Sequence, residues 1–263
     1  MMDVGYVFAG FVVGLIVGLT GVGGGSLMTP ILIFVFGVKP YLAVGTDLLF
    51  AAVTKCGGTL SLSRQGLVPW KMVAWLSAGS LPAALVTLWV LHTAGPSTQG
   101  VQHVMTFTLG IALLLTAAAM FYKAVRGHRG AHNKVSDNIE ITTPGSRPWL
   151  TVIFGALIGL LVTLTSVGAG AIGVTVLMIL YPKLPLPRII AGDIAYAVPL
   201  TLVAGLGHAS LGSVDWPLLV TLLAGSLPGI YLGSRLVSHT PERLIRSALS
   251  ILLAWAGSKL VLI

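Results

Sequence analysis

Apolar segments long enough to cross a lipid bilayer occupy nearly the whole chain. A transmembrane helix needs about 20 apolar residues, and the uninterrupted candidates are 41–62, 70–91, 101–122, 188–208, 216–233 and 246–263. Two longer apolar segments, 4–37 and 149–181, each contain one glycine-rich break. Only 8% of the residues are charged, against roughly 25% in soluble domains. The sequence therefore predicts an all-α polytopic membrane protein that has the lipid bilayer as its surroundings.

The two glycine-rich breaks follow one pattern. Residues 19–25 read LTGVGGG and residues 164–170 read LTSVGAG. The stretch AGSLP also occurs twice, at 78–82 and 224–228, and Asp47 matches Asp193 at the same spacing. The sequence thus predicts two homologous transmembrane repeats, 1–122 and 149–263, joined by a basic linker, 123–148.

The distribution of lysine and arginine indicates the orientation of the repeats. If each broken segment enters the membrane and returns, each repeat makes five passages and most basic residues lie on the cytoplasmic side, as the positive-inside rule requires. Twelve lysine and arginine residues, including the five of the linker, then lie on the cytoplasmic side, and only Lys39 and Lys259 lie outside. If each broken segment crosses the membrane only once, eight basic residues lie inside and six outside, which is a weaker asymmetry. Five passages also invert one repeat relative to the other.

Paired interrupted segments in inverted repeats are typical of secondary transporters. The helices after the breaks, about 26–37 and 171–181, would be roughly 18 Å long, too short for the ~30 Å hydrocarbon core. The breaks should therefore lie within the membrane. The predicted fold has two inverted repeats, each with about four full transmembrane helices and a short half-helix after the glycine break.

Amide groups at the start of these half-helices are candidate anion ligands, because a helix N-terminus attracts negative charge. Close packing of helices is the alternative explanation for the small residues. Hydroxyl groups near the breaks and in the spans could add hydrogen-bond donors. The candidate amides are those of Gly23, Gly24, Gly25 and Ser26 and those of Gly168, Ala169, Gly170 and Ala171, and the candidate hydroxyls are those of Thr20, Thr46, Thr165, Ser166 and Thr201.

Ionisable residues inside membrane spans are costly and so are candidates for function. Lys55 lies near the middle of its span, where it could pair with an anion or with Asp47. Asp47 and Asp193 could gate opposite faces or carry protons, or they could cap their helices. His208 could relay protons or lie at the interface, near the end of its helix.

Motifs for nucleotide binding, catalysis and metal binding are either absent from the sequence or lack the secondary structure that they require. GxGxxG occurs at 168–173, but a dinucleotide site needs a strand before it and a helix after it. No Walker A, HExxH or Ser-His-Asp arrangement occurs, and the single cysteine, Cys56, excludes a cysteine metal cluster. We expect no enzyme activity, no cofactor and no metal site. The basic residues, which give a net charge of +8, lie mainly between the spans, so no nucleic-acid partner is expected.

Several motifs of the first repeat occur in the order found in a known transporter family. They are GLTGVGGGS at 18–26 with Pro30, AVGT at 43–46, GLVPW at 66–70 and AGSLP at 78–82. In this order they resemble the TauE/SafE sulfite exporter family, and the resemblance covers both repeats. It implies a multi-pass transporter of the bacterial or archaeal inner membrane that moves sulfite, thiosulfate or organosulfonates. Asp47 is a departure, since members often have a small polar residue there and an ionised carboxylate would repel an anion.

The predicted function is therefore secondary transport of a small sulfur-containing anion by alternating access, with protons as a candidate coupling ion. A permease for cations or metals, with Asp47 and Asp193 as ligands, is an alternative, although Lys55 argues against it. A non-transporting membrane scaffold subunit is another. A homo-oligomer is compatible with the sequence.

Overall fold

The structure, a computed structural model, describes residues 4–20, 25–126, 148–236 and 242–262. These residues form helices and connecting turns, with no β-strand among them, so the all-α prediction is confirmed. In chain order the helices are α1 (Val4–Thr20), α2 (Gly25–Phe34), α3 (Pro40–Arg64), α4 (Trp70–Ala94), α5 (Gln99–Arg126), α6 (Pro148–Thr165), α7 (Ala171–Leu180), α8 (Leu186–Ser210), α9 (Trp216–Leu236) and α10 (Glu242–Val261).

The helices before residue 127 and those after residue 147 show the same succession of long and short helices. Each set has four longer helices and one short helix that follows the glycine break. The short helices α2 and α7 have 10 residues each, or about 15 Å, half the thickness of the hydrocarbon core. The predicted half-helices therefore form, although each ends slightly earlier than the sequence suggested.

Five of the described helical stretches are long and apolar enough to cross a membrane. They are Trp70–Ala94, Gln99–Phe121, Pro148–Thr165, Leu186–Ser210 and Trp216–Gly233. The predicted span at 246–263 corresponds to a shorter apolar stretch, Ser247–Val261. Helix α3, the predicted span at 41–62, is outside this group despite its 25 residues. It carries Asp47, Lys55 and several glycine and hydroxyl residues, and its first half is almost wholly buried.

Each of the two hydrophobic cores combines early and late helices. One core packs α1, α2 and α5 against α9 and α10, with Phe50 of α3 inside it. The other packs α6, α7 and α8 against α3 and α4. Large apolar side chains such as Trp89 and Ile251 remain exposed on the outer surface, where a soluble protein would be prone to association. The surface thus fits a lipid environment.

Glycines allow the closest helix contacts and reveal the helix directions. Gly10 and Gly14 of α1 lie against the backbone of Leu222 and Ser226 of α9, so these two helices run parallel. The corresponding contacts on the other side of the molecule place Gly155 and Gly159 of α6 against Leu76 and Ser80 of α4, also in parallel. The two pairs are built alike, which follows from the repeated AGSLP motif.

The long helices α3 and α8 lie side by side and run antiparallel. Gly45 of α3 lies against His208 at the end of α8, and Gly58 lies against Ile194 near its start. Between these points Gly205 contacts Leu49. This pair forms the buried centre of the molecule and carries its buried ionisable side chains.

Candidate functional site

The four ionisable side chains that the sequence singled out are all buried on the α3–α8 pair. The exposed fractions are 0% for Asp47 and His208, 2% for Asp193 and 6% for Lys55. Because the helices are antiparallel, Asp47 and Asp193 lie at opposite ends of the pair, roughly 15–20 Å apart along the helices. Lys55 lies between these levels. A charged group in such a place is costly unless it is paired or serves a function.

Asp47 belongs to a polar cluster that joins three helical segments, which we call the Asp47 cluster (Thr29, Asp47 and Ser166). The Thr29 hydroxyl on α2 donates a hydrogen bond to Oδ2 of Asp47. The Ser166 hydroxyl, in the second glycine break, lies beside the same carboxyl group as a second donor, and it makes no other hydrogen bond. Oδ1 of Asp47 also lacks a partner. A buried carboxylate oxygen without a donor is unfavourable, so this cluster can accept a further polar group.

Neither aspartate sits where a helix cap would be. Helix α3 begins at Pro40 and α8 begins at Leu186, so each aspartate lies about two turns inside its helix, where backbone amides already bond within the helix. The Asp47 carboxyl group instead bonds across to α2. The geometry therefore favours a role at the helix interface over the capping alternative.

Asp193 belongs to a second cluster, which we call the Asp193 cluster (Gly173, Asp193 and Tyr196). Its carboxyl group lies against Gly173 of α7, so closely that any side chain at residue 173 would collide with it. Tyr196, one turn further along α8, is fully buried and interacts electrostatically with Asp193. The Tyr196 hydroxyl has no hydrogen-bond partner. This cluster thus combines an acidic group with a hydrogen-bond donor.

Lys55 is placed between the two clusters. Its ammonium group interacts electrostatically with both carboxyl groups, more strongly with Asp193 than with Asp47. Its side chain retains 6% exposure. Among the buried side chains that the structure describes, Lys55 is the one lysine or arginine.

The second glycine break has the unusual backbone that its sequence predicted. Ser166, Gly168 and Gly170 have positive φ angles of 59°, 132° and 131°, which glycine adopts readily and serine does not. The amide of Gly173 donates to the carbonyl of Gly168 at 3.1 Å. Among the hydrogen bonds of the described residues, none is donated by the amides of Gly168, Ala169, Gly170 and Ala171, the predicted anion-binding group.

The first break lies mainly outside the described residues. Gly23 and Gly24 belong to the part that the structure does not describe. Thr20 ends α1, and Gly25 and Ser26 open α2, but the contacts of their side chains are likewise not described. The predicted roles of these five residues remain predictions.

Three of the predicted hydroxyl ligands are engaged with the backbone. The Thr46 hydroxyl accepts a hydrogen bond from the amide of Asp215 at 3.0 Å. Thr165 donates to the carbonyl of Leu161 at 2.6 Å, and Thr201 donates to that of Ala197 at 2.7 Å. Among the candidate hydroxyls in the described part of the chain, Ser166 is thus the one that faces the Asp47 carboxyl group and not the backbone.

His208 lies in the protein interior, at the Asp47 end of the α3–α8 pair. Its Nε2 is 2.9 Å from the carbonyl oxygen of Thr163, in the last turn of α6 before the second break. Nδ1 has no partner. The imidazole therefore holds the end of α6 and leaves one nitrogen for a further polar group.

The described residues hold no group of three or more histidine, cysteine, aspartate or glutamate side chains with the geometry of a metal site. Asp47 and Asp193, the ligands of the cation alternative, are separated along the α3–α8 pair, since Gly45 lies level with His208 and Gly58 with Ile194.

Thr29 and Tyr196 were not among the residues predicted from the sequence. Both look unremarkable in the sequence, since a threonine in an apolar helix often bonds to its own backbone and a tyrosine often fills a core. A weak signal for Thr29 was its place on the half-helix after the first break. For Tyr196 it was the spacing of three residues from Asp193, which puts the two side chains on one face of a helix.

Comparison with known proteins agrees with this architecture. The family model for the sulfite exporter TauE/SafE matches residues 6–260. The probable membrane transporter protein YjnA of Bacillus subtilis is 34% identical over 260 residues, which cover 99% of this chain and 100% of YjnA. A probable membrane transporter protein of the archaeon Methanocaldococcus jannaschii is 25% identical over 95% of this chain and 92% of its own length. No solved structure matches. The chain is therefore a membrane transporter of the TauE/SafE family.

Proposed function

We propose that this protein is a secondary transporter for a small sulfur-containing anion, such as sulfite, thiosulfate or an organosulfonate. The observation that carries the proposal is Lys55, an ammonium group buried in the middle of the central helix pair. A lysine at this depth costs at least about 2.5 kcal/mol. An anionic solute that pairs with it would offset that cost each time it binds.

Donor groups on separate helical segments support binding of a small oxyanion. The amides at the start of α7, the Ser166 hydroxyl and the Lys55 ammonium are hydrogen-bond donors near the centre of the molecule. Oxyanions accept several hydrogen bonds at once, and donors of this kind bind them well. The repeated sequence motif predicts a second set of amides at Gly23, Gly24 and Gly25, of which Gly23 and Gly24 lie outside the described residues.

The directions of the helices support transport by alternating access. Helices α3 and α8, which correspond in the two halves, run antiparallel, and so do α5 and α10, where Gly110 lies near Gly257 and Val261 and Gly257 lies near Leu114. Corresponding helices run in opposite directions when two repeats are inverted, the arrangement found in many alternating-access transporters. On this proposal the repeats comprise 1–122 and 149–263.

The two aspartates and the histidine are proposed to couple or gate the movement. Asp47 and Asp193 lie on opposite sides of Lys55, so each can control access from one face of the membrane. His208, at the Asp47 end, has one ring nitrogen available for a proton. A proton on one carboxyl group would reduce the repulsion of an incoming anion.

The proposed location is the bacterial or archaeal inner membrane, with the linker 123–148 in the cytoplasm. In a Cys56→Ser background, Lys39→Cys should react with an impermeant thiol reagent in intact cells, whereas Lys183→Cys should be protected. Both lysines are exposed in turns between helices. Rapid labelling of Lys183→Cys would contradict the five-passage arrangement.

Transport is best tested with the purified protein in liposomes. The vesicles are loaded with sulfite, thiosulfate, methanesulfonate or chloride, and counterflow of the labelled anion is measured. We expect exchange of at least one sulfur-containing anion, and no stimulation by divalent cations. Exchange of cations alone would indicate the cation permease instead, and the absence of any exchange would favour the scaffold subunit.

A further inference from the structure

The buried charges limit which anions the proposed site can accept. Among the described residues, two carboxyl groups, Asp47 and Asp193, accompany the single buried ammonium of Lys55. The cost of removing an ion from water grows with the square of its charge, whereas its attraction to one lysine grows only in proportion. One lysine therefore suits a monovalent anion better than a divalent one. Asp193, which interacts with Lys55 more strongly than Asp47 does, weakens the attraction further.

Tyr196 offers a neutral donor at the same level of the molecule. Ile194 lies against Gly58, and since α3 and α8 are antiparallel, Tyr196 lies at about the level of Lys55. Its hydroxyl is completely buried and has no hydrogen-bond partner. A buried hydroxyl without a partner is unfavourable, and phenylalanine would fill the same space without that cost. A bound solute with an acceptor oxygen would satisfy the hydroxyl.

We propose that Lys55, Asp193 and Tyr196 form a subsite that selects monovalent oxyanions over divalent ones. Lys55 supplies the counter-charge and Asp193 opposes a second negative charge. The Tyr196 hydroxyl donates a hydrogen bond to an oxygen of the solute. The inference rests on the proposed transport of an anion. It adds that the transported anion is monovalent and that Asp193 is the residue that disfavours a second charge.

The test compares two probes on the purified full-length protein by isothermal titration calorimetry. Methanesulfonate is monovalent and thiosulfate is divalent at neutral pH. We expect methanesulfonate to bind at least about tenfold more tightly. Asp193→Asn should reduce this preference about tenfold, because it removes the opposing charge at nearly constant shape. Tyr196→Phe should weaken both probes about five- to tenfold and leave their ratio unchanged.

Matched controls separate these effects from general damage. Asp215→Asn makes the same substitution at a residue whose Oδ1 accepts from the amide of Leu218, a role that asparagine also fills. Tyr181→Phe removes the hydroxyl of another buried tyrosine, one that is hydrogen-bonded to Thr151. Neither control should change the ratio of the two dissociation constants.

The results that would overturn the inference are distinct from those that would overturn transport. Equal binding of both probes, or a ratio unaffected by Asp193→Asn, refutes the subsite while leaving an anion transporter in place. If Asp193→Asn does not fold, an unchanged affinity of Tyr196→Phe for both probes is sufficient by itself to refute the subsite. Absence of binding by either probe in every variant refutes the subsite and the proposed anion site together.

Discussion

The Asp47 cluster and the Asp193 cluster occupy corresponding places in the two halves and are built differently. Asp47 receives a hydrogen bond from Thr29 and lies beside Ser166. Asp193 lies against a glycine and interacts with a tyrosine and with Lys55. The helix scaffold around them is alike, since α1–α9 and α6–α4 make equivalent glycine contacts. Two similarly built helix pairs thus accompany two polar clusters that differ in their residues.

The largest effect on transport should come from removing the charge of Lys55, which has no charged counterpart in the other half of the chain. Lys55 corresponds to Thr201 in the other half, whose hydroxyl bonds to its own helix. Lys55→Ala should lower anion exchange in liposomes at least about a hundredfold, because a buried counter-charge is lost. Thr201→Val should lower it less than about threefold. Comparable losses in the two variants would mean that Lys55 acts through packing and not through charge.

The next effect should be the same in both halves and so tests the shared scaffold. A Cβ atom at Gly14 would lie 2.7 Å from Cα of Ser226, and one at Gly159 would lie 2.7 Å from Cα of Ser80. Gly14→Ala and Gly159→Ala should each destabilise the protein by about 1–3 kcal/mol, because the helices must move apart. Thermal unfolding in detergent measures this effect.

Gly100→Ala is the control for these glycines, since a Cβ atom there meets nothing within 4 Å. It should leave the unfolding temperature unchanged or raise it slightly. Unequal losses for Gly14→Ala and Gly159→Ala would show that the two helix pairs are not energetically equivalent.

The smallest effect should distinguish the two short helices. Thr29 on α2 bonds across to Asp47, whereas Thr175 on α7 donates to the carbonyl of Ala171, in its own helix, at 2.7 Å. Thr29→Val should cost about 1 kcal/mol or somewhat more, because it removes a donor from a buried carboxyl group. Thr175→Val should be nearly neutral. Thermal unfolding of the two variants in parallel measures the difference, and a larger loss for Thr175→Val would contradict the assigned contact.

Much of the fold could be predicted from the sequence because the bilayer imposes strict local rules. The length of apolar runs gives the helices, and the glycine-rich breaks give the two short ones. The same reasoning singled out Asp47, Lys55, Asp193 and His208, since ionisable residues in a span are rare for energetic reasons. The bounds of α3 were also close, at 41–62 predicted and Pro40–Arg64 observed.

The contacts of these residues could not be predicted in the same way. Thr29 donates a hydrogen bond to Asp47, and Ser166, which is distant in the sequence, lies beside the same carboxyl group. Both contacts arise because α2 and the second break pack against α3. Thr46, Thr165 and Thr201 were equally plausible ligands in the sequence, yet their hydroxyls bond to the backbone. Hydroxyl groups have several possible partners within reach, and packing selects one of them.

The sequence by itself determined a helical membrane protein with two glycine breaks and a small set of ionisable groups within the spans, because each of these follows from composition and local spacing. Only the tertiary structure decided that α3 and α8 lie side by side, with Lys55 between Asp47 and Asp193 and with Tyr196 near its level. Such neighbours are far apart in the chain. They come together through the close approach that glycines permit between helices, which depends on the complementary surface of a partner helix and not on any local pattern.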